Sequence, residues 1–260
     1  MSDPLVSLER RGSTAIITIN RPEKRNALSR ALIRELTSAV QAVATDDSRC
    51  LILTGSGKAF CAGMDLDELR GTIEKSDEAE MVWDDAHRLS ALYTLLYELP
   101  KPTIAAVNGA AVAGGAGLCT VCDLALAVPE AKFGYPEVRR GLVAAMVLPH
   151  LLRHVGERAA RWLLLSGELI DAAEAQRIGL VNSVVPAAEL MTTACRWAEL
   201  CAEGGPKALA TTKELLRRCS AQAVPVADLA KASAEPRLTD ECRGGLRAFF
   251  DGQPVPWKPA

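Results

Sequence analysis

The chain has 260 residues, 49% of them hydrophobic and 24% charged, with a formal net charge of −2. That is the composition of a globular protein long enough to bury most of its chain without disulfide or metal staples. The near-neutral balance excludes a basic nucleic-acid footprint, and there is no apolar run of the roughly 18 residues a membrane helix needs.

Residues 1–4 lack the basic-then-apolar pattern of a secretory leader, so a cytoplasmic location is expected. Residues 5–8 and 14–20 read as two strands around the turn Arg11-Gly12-Ser13. The second is rich in β-formers and partly alternates. Arg21-Pro22 breaks that strand. From Ser29 to about Thr45, Leu32, Ile33, Leu36, Val40 and Val43 recur at helical spacing. Residues 50–54 form a short apolar strand followed by the turn Gly55-Ser56-Gly57-Lys58. A loop then leads to a helix over 79–99, with Met81, Ala86, Leu89, Leu92 and Leu96 expected inward.

Residues 103–107 read as a strand ended by Asn108-Gly109, and Gly114-Gly115-Ala116-Gly117 opens a short helix to about Cys122. Another strand is expected at 124–128. After Gly141 the pattern is mostly helical, with one further strand at 181–185. Gly204-Gly205-Pro206, Pro225 and Pro236 punctuate the last part. The repeated order strand, helix, strand predicts an α/β fold. Residues 1–200 are expected to form the core, and 201–260 a helical region acting as a lid or oligomer contact. The eight cysteines, at 50, 61, 119, 122, 195, 201, 219 and 242, read as free thiols. Cys119 and Cys122 form a lone CxxC without the two further ligands of a zinc site, so no metal is expected.

Three segments carry candidate chemistry. They are Phe60-Cys61-Ala62-Gly63-Met64-Asp65-Leu66, the run from Asn108 to Gly117, and Phe133-Gly134-Tyr135-Pro136-Glu137-Val138 followed by Gly141-Leu142. In the second, a strand runs through glycines into a helix. The first N–H groups of a helix have no internal partner, and the helix dipole favours negative charge there. Such an end receives an anion or a polarised carbonyl oxygen. The GGxG run does not fit the dinucleotide pattern GxGxxG with a downstream acid. By itself Asp65 reads as a helix cap.

In this order, the three segments resemble the crotonase (enoyl-CoA hydratase/isomerase) superfamily. So do Arg21-Pro22…Asn26-Ala27-Leu28 and Cys122-Asp123, and the likeness runs from about residue 5 to 250. It implies a spiral of ββα units with a helical C-terminal region, assembled as trimers or pairs of trimers. It implies an acyl-CoA thioester substrate, with CoA as part of that substrate and no separate cofactor. The oxyanion hole would be the backbone N–H groups of Met64 and Gly114. CoA and acyl contacts would come from Asn26, Ala27, Leu28, Ala62, Gly63, Asp65, Leu66, Gly115, Gly117, Pro136 and Leu142.

Well-known hydratases of the family use two glutamates. Here the first position is Gly117, and only Glu137 remains as acid and base. A single carboxylate serves hydration of a 2-enoyl-CoA or Δ3–Δ2 isomerisation; a non-catalytic acyl-CoA binder is the third reading. Asp84-Asp85-Ala86-His87, the stretch 137–142 and Gly156-Glu157-Arg158-Ala159-Ala160-Arg161 resemble a bacterial methylglutaconyl-CoA or branched enoyl-CoA hydratase branch, which favours hydration. A substrate with a distal carboxylate would want a cation, for which Arg88, Arg139, Arg140 and His150 are candidates. His87 reads as structural, Tyr93 and Tyr97 as core or interface residues, and Tyr135 as either pocket lining or packing.

Overall fold

A computed structural model describes residues 4–73, 79–221, 244, 248, 251–254 and 256. Strands β1 (Val6–Arg11) and β2 (Thr14–Ile19) form an antiparallel hairpin. Helix α1 (Arg30–Thr45) follows, its first turn capped by Ser29, whose hydroxyl accepts from the Leu32 N–H. The five apolar residues expected on one face of α1 are all buried.

From there the chain climbs in repeating turns. Strands β3 (Cys50–Gly55) and β4 (Ala59–Cys61) lead to helices α2 (Leu66–Ile73) and α3 (Ala79–Glu98). Strands β5 (Thr103–Val107) and β6 (Ala110–Val112) lead to α4 (Gly114–Thr120). Strands β7 (Leu124–Ala127) and β8 (Lys132–Gly134) lead through a 3-10 turn, Pro136–Arg140, to α5 (Leu148–Ser166). Strand β9 (Leu169–Asp171), α6 (Ala172–Arg177), β10 (Ser183–Val184), α7 (Leu190–Ala202) and α8 (Pro206–Ala221) complete the described chain.

Each turn gives one strand to each of two sheets. The larger has the order β1-β2-β3-β5-β7-β10 and is parallel apart from its first pair. The smaller has the order β4-β6-β8-β9 and is parallel apart from its last pair. Helix α7 packs on β3 and β5, whose side chains are buried almost throughout. That is the setting in which continuous apolar strands are stable.

The smaller sheet departs from the sequence expectation. Its four strands have three residues each, too few for an alternating pattern to register. The expected strand at 181–185 shortens to β10, although the Asn182 and Val185 N–H groups still bond the Ala125 and Ala127 carbonyls. Met81 is exposed rather than inward. The buried stripe of α3 runs through Leu89, Leu92 and Leu96; Met81 shares that face but sits in the first turn of α3, before the buried stretch begins. In the helical C-terminal region, α8 is described to Ala221; Cys242, Pro225 and Pro236 lie outside the described residues. The other seven cysteines are free, Cys119 and Cys122 among the buried ones.

Candidate active site

The site begins where two loops meet. After β4 the chain turns at Gly63, with φ of +89°. The Leu28 N–H donates to the Gly63 carbonyl at 2.8 Å, and the Asp65 N–H donates to the Leu28 carbonyl at 3.0 Å. These two bonds make a parallel bridge between Leu28 and Met64. In such a bridge the middle residue, Met64, directs its own N–H to the opposite side.

Opposite lies the start of α4. Its first hydrogen bond of helical type runs from the Gly117 N–H to the Ala113 carbonyl at 3.0 Å, so the N–H groups of 114–116 have no acceptor within the helix. Ala113 adopts φ 52° and ψ −125°, a conformation that suits glycine and costs another residue about 1–3 kcal/mol. The Ala113 N–H is held by the Gly134 carbonyl at 2.8 Å. Gly63 packs directly on this corner: a Cβ placed on it would lie 3.3 Å from the Gly114 nitrogen and 2.8 Å from the Ala113 Cβ. The peptides of Met64 and Gly114 are therefore neighbours.

Both border a cavity of about 400 Å³. Its walls are largely apolar, with Val82, Ala86, Leu89, Val143, Met146 and Val147 among them. Glu137, Asp85, Arg140 and Tyr93 supply the polar groups. Glu137 is carried by the 3-10 turn after Pro136. The Leu142 N–H bonds the Glu137 carbonyl at 3.0 Å, and Gly141 closes the turn in the left-handed conformation. The Glu137 side chain is half-buried, and its Oε2 is buried without a partner among the described residues. Burial raises its pKa, opposed in part by its own backbone N–H and by Arg140. A carboxylate that is poorly solvated and unpaired is a stronger base than an exposed one.

Of the expected site residues, Ala62, Met64, Leu66, Gly114, Pro136, Glu137 and Leu142 line this one cavity. Others build its walls instead. Asn26 is fully buried, its amide donating to the Ser56 and Ala59 carbonyls while its oxygen accepts from the Arg21 N–H. Leu28 is fully buried and bridges Met64. Ala27 is half-buried, its carbonyl accepting from Arg21. Asp65 caps α2 through the Asp67 N–H at 2.9 Å and pairs with Arg21, in accord with its reading as a cap. Gly115 packs on β4, where a Cβ would meet the Cys61 carbonyl oxygen at 2.0 Å. Tyr135 is fully buried and packs rather than lining the cavity.

The cation candidates separate. Arg140 lines the cavity. Arg139 turns away, its Nε donating to the Ser166 carbonyl. Arg88 pairs with Asp84 on the exposed side of α3. His150 packs edge-on against Tyr97, and burial, with Arg153 and His154 nearby, pushes its pKa down to about 4. It is therefore neutral near pH 7 and offers a carboxylate no positive charge. His87 is exposed and stacks on Trp83. Asp85 faces the cavity already paired with Arg30 through two bonds of 2.6 and 2.7 Å. Tyr93 was expected as a core or interface residue and is both core and site. Val82, Ala86, Leu89 and Tyr93 recur at helical spacing along α3, which is the sequence signal for it.

The family model for enoyl-CoA hydratase/isomerase matches residues 9–259. A Thermus thermophilus protein, provisionally named an enoyl-CoA hydratase, is 42% identical over 258 residues, covering 96% of this chain and 99% of its own. The 2,3-dehydroadipyl-CoA hydratase of Escherichia coli is 36% identical, covering 96% of each chain. The crystal structure of an enoyl-CoA hydratase from Mycobacterium smegmatis superposes with a TM-score of 0.90 at 32% identity, over 98% of this chain and 99% of that one. The chain belongs to the enoyl-CoA hydratase/isomerase family, with the crotonase fold, and is an enzyme of that family.

Proposed function

We propose that this enzyme hydrates the 2,3 double bond of an acyl-CoA thioester, with Glu137 as its only acid and base. The observation that carries the reading is one cavity bordered by Met64, Gly114 and Glu137, with the Glu137 Oε2 buried and without a partner among the described residues. The backbone N–H groups of Met64 and Gly114 receive the thioester oxygen. Glu137 takes a proton from water as the water oxygen bonds C3. The π electrons pass through C2 to the thioester oxygen, and two aimed donors stabilise that enolate by roughly 3 kcal/mol each. The enolate then takes the proton back from Glu137 at C2, so one water is added and the carboxylate is regenerated. No metal or separate cofactor enters; CoA comes with the substrate.

A second reading, Δ3–Δ2 isomerisation, is favoured by one observation: position 117 has no carboxylate to hold a water. In that case Glu137 moves a proton from C2 to C4. Incubation with crotonyl-CoA and with a 3-enoyl-CoA, followed by mass and absorbance, separates the two. A gain of one water supports hydration. A moved double bond at unchanged mass supports isomerisation, and silence on a panel of thioesters supports a non-catalytic binder.

Within the hydratase reading, a substrate with a distal carboxylate, such as methylglutaconyl-CoA, would meet Arg140, the one cation of the described lining. Equal turnover of methylglutaconyl-CoA and crotonyl-CoA would remove that preference. Assembly as a trimer or a dimer of trimers belongs to the same reading. It is supported by the exposed apolar side chains Trp162, Leu165 and Leu169 at the end of α5 and on β9, and sedimentation tests it. Among the described residues no helix is long and apolar enough to cross a membrane; a cytoplasmic location belongs to the same proposal.

A further inference from the structure

Gly117 raises a question that the family reading leaves open: what stands where a side chain at 117 would go. A Cβ there would lie 2.3 Å from the Tyr93 hydroxyl oxygen, 2.7 Å from Tyr93 Cζ and 2.6 Å from Val147 Cγ1. The space is filled by a tyrosine from another helix. Tyr93 is 2% exposed, yet it borders the cavity. Its hydroxyl donates to the Gly114 carbonyl at 2.7 Å.

The choice of acceptor is informative. A carbonyl in the first turn of a helix ordinarily accepts from the N–H four residues on, so the Tyr93 bond is an additional one. It falls on Gly114, a residue with no side chain of its own to anchor it and the widest backbone freedom. On its other side Gly114 follows Ala113 in a strained conformation. The peptide that carries the Gly114 N–H is held through its Ala113 carbonyl by the Gly117 N–H; the Tyr93 bond holds the next peptide, so the two together fix the Gly114 dihedrals and with them the aim of its N–H.

We propose that Tyr93 is a positioning residue for the thioester reaction. Its hydroxyl holds the Gly114 carbonyl so that the neighbouring Gly114 N–H keeps its aim, and its ring fills the space that a side chain at 117 would take. The inference rests on the oxyanion reading of Met64 and Gly114. It does not rest on whether water or a proton is the group moved.

Tyr93→Phe tests it, because the ring stays and only the hydroxyl goes. Two measurements are needed: kcat and KM on an enoyl-CoA that the wild type turns over, and the red shift in absorbance of a conjugated, chromophoric enoyl thioester on binding. The red shift reports polarisation of the thioester carbonyl by the N–H pair and needs no turnover. Misaim of a positioned group by a fraction of an ångström costs rate rather than affinity. The expected result is a kcat lower by about 10-fold, KM within about twofold, a smaller red shift and a melting temperature changed little. Wild-type kcat with an unchanged red shift overturns the proposal, as does a lowered melting temperature with kcat untouched, since the hydroxyl would then be structural only. If the wild type gives the red shift but adds no water, the hydratase reading fails while the Tyr93 proposal is still decided by the shift. A wild type that binds the thioester without a red shift overturns both the oxyanion reading and the role of Tyr93.

Discussion

Leu28 and Met64 face one another as an isolated parallel bridge, and this pairing turns the Met64 N–H to the cavity side. The bridge is made through Gly63, which combines φ of +89° with contact to the Ala113–Gly114 corner. A methyl on Gly63 would lie 2.8 Å from the Ala113 Cβ and 2.9 Å from the Val112 carbonyl oxygen. Gly63→Ala must therefore shift both candidate oxyanion peptides. Since one lost donor costs about 10²–10³ in rate, kcat/KM should fall at least 100-fold. A folded Gly63→Ala protein with wild-type turnover would show that the juxtaposition has no part in catalysis.

Glu137→Gln keeps the shape of the side chain and removes its basicity. General acid–base help contributes about 10²–10⁴-fold, and no second carboxylate stands at 117 to substitute. The expected outcome is a loss of kcat of that size, with the dissociation constant for a saturated acyl-CoA changed little. Retained turnover would take Glu137 out of the mechanism.

The pH dependence follows from the same residue. Burial, the largest influence, lifts the Glu137 carboxyl above its ordinary range. The base must be ionised to accept the water proton, so kcat/KM should fall as pH drops through this raised pKa. The acidic limb should lie above the value of about 4.3 typical of an exposed glutamate. The effect on stability has the opposite sense. With the folded pKa above the unfolded one, the native state holds more protons between them, and stability declines as pH rises through that window. Glu137→Gln should thus melt slightly higher than wild type at neutral pH, and the difference should vanish in acid below the unfolded pKa. Calorimetry across pH checks both signs.

Position 117 resists the obvious repair. Installing the missing carboxylate as Gly117→Glu drives a side chain into Tyr93 and Val147. Overpacking costs about 1–3 kcal/mol, and each kcal/mol lowers the melting temperature of a chain this size by about 2–4 °C. The variant should melt several degrees lower and hydrate no faster. Tyr93→Ala in the same chain should recover part of that loss, a non-additivity expected of residues in contact. Strict additivity of the two changes would contradict the packing described.

Much of this was legible before the structure. The stripe of α1 and most strands of the larger sheet follow directly from periodicity and turn residues. Residues 64, 114 and 137, far apart in sequence, border one cavity. The smaller sheet was not legible, because three-residue strands carry no measurable period. The side chains of Asn26 and Leu28, expected among the substrate contacts, are buried in the wall; a motif marks where a site lies, not which of its atoms face inward. Sequence alone reads Tyr93 as a core or interface residue because the contact that gives it meaning, with Gly114 on another helix, is 21 residues away. Likewise, the proximity of Arg88, Arg139 and His150 in sequence could not reveal that their side chains serve other partners.

Asp65 offers a test of how the wall supports the site. Its carboxylate bonds Arg21, whose guanidinium also holds the Ala27 carbonyl, and it caps α2 beside Met64. Burial by itself would raise the Asp65 pKa, but Arg21 and the Asp67 and Glu68 N–H groups outweigh it and hold the carboxyl below its ordinary value. A depressed folded pKa means that the ionised form stabilises the fold above the unfolded pKa, and that this stability is lost as pH falls through the folded one. Hydrogen bonds to a charged group contribute about 1.5–3 kcal/mol. Asp65→Asn should therefore lose roughly that much at neutral pH, and its deficit against wild type should shrink toward zero as pH falls below the folded pKa. Because Asp65 adjoins Met64 and its N–H completes the bridge to Leu28, the same variant should lose kcat more than it gains in KM. An equal deficit at every pH would mean that the charge of Asp65 has no part in holding the wall.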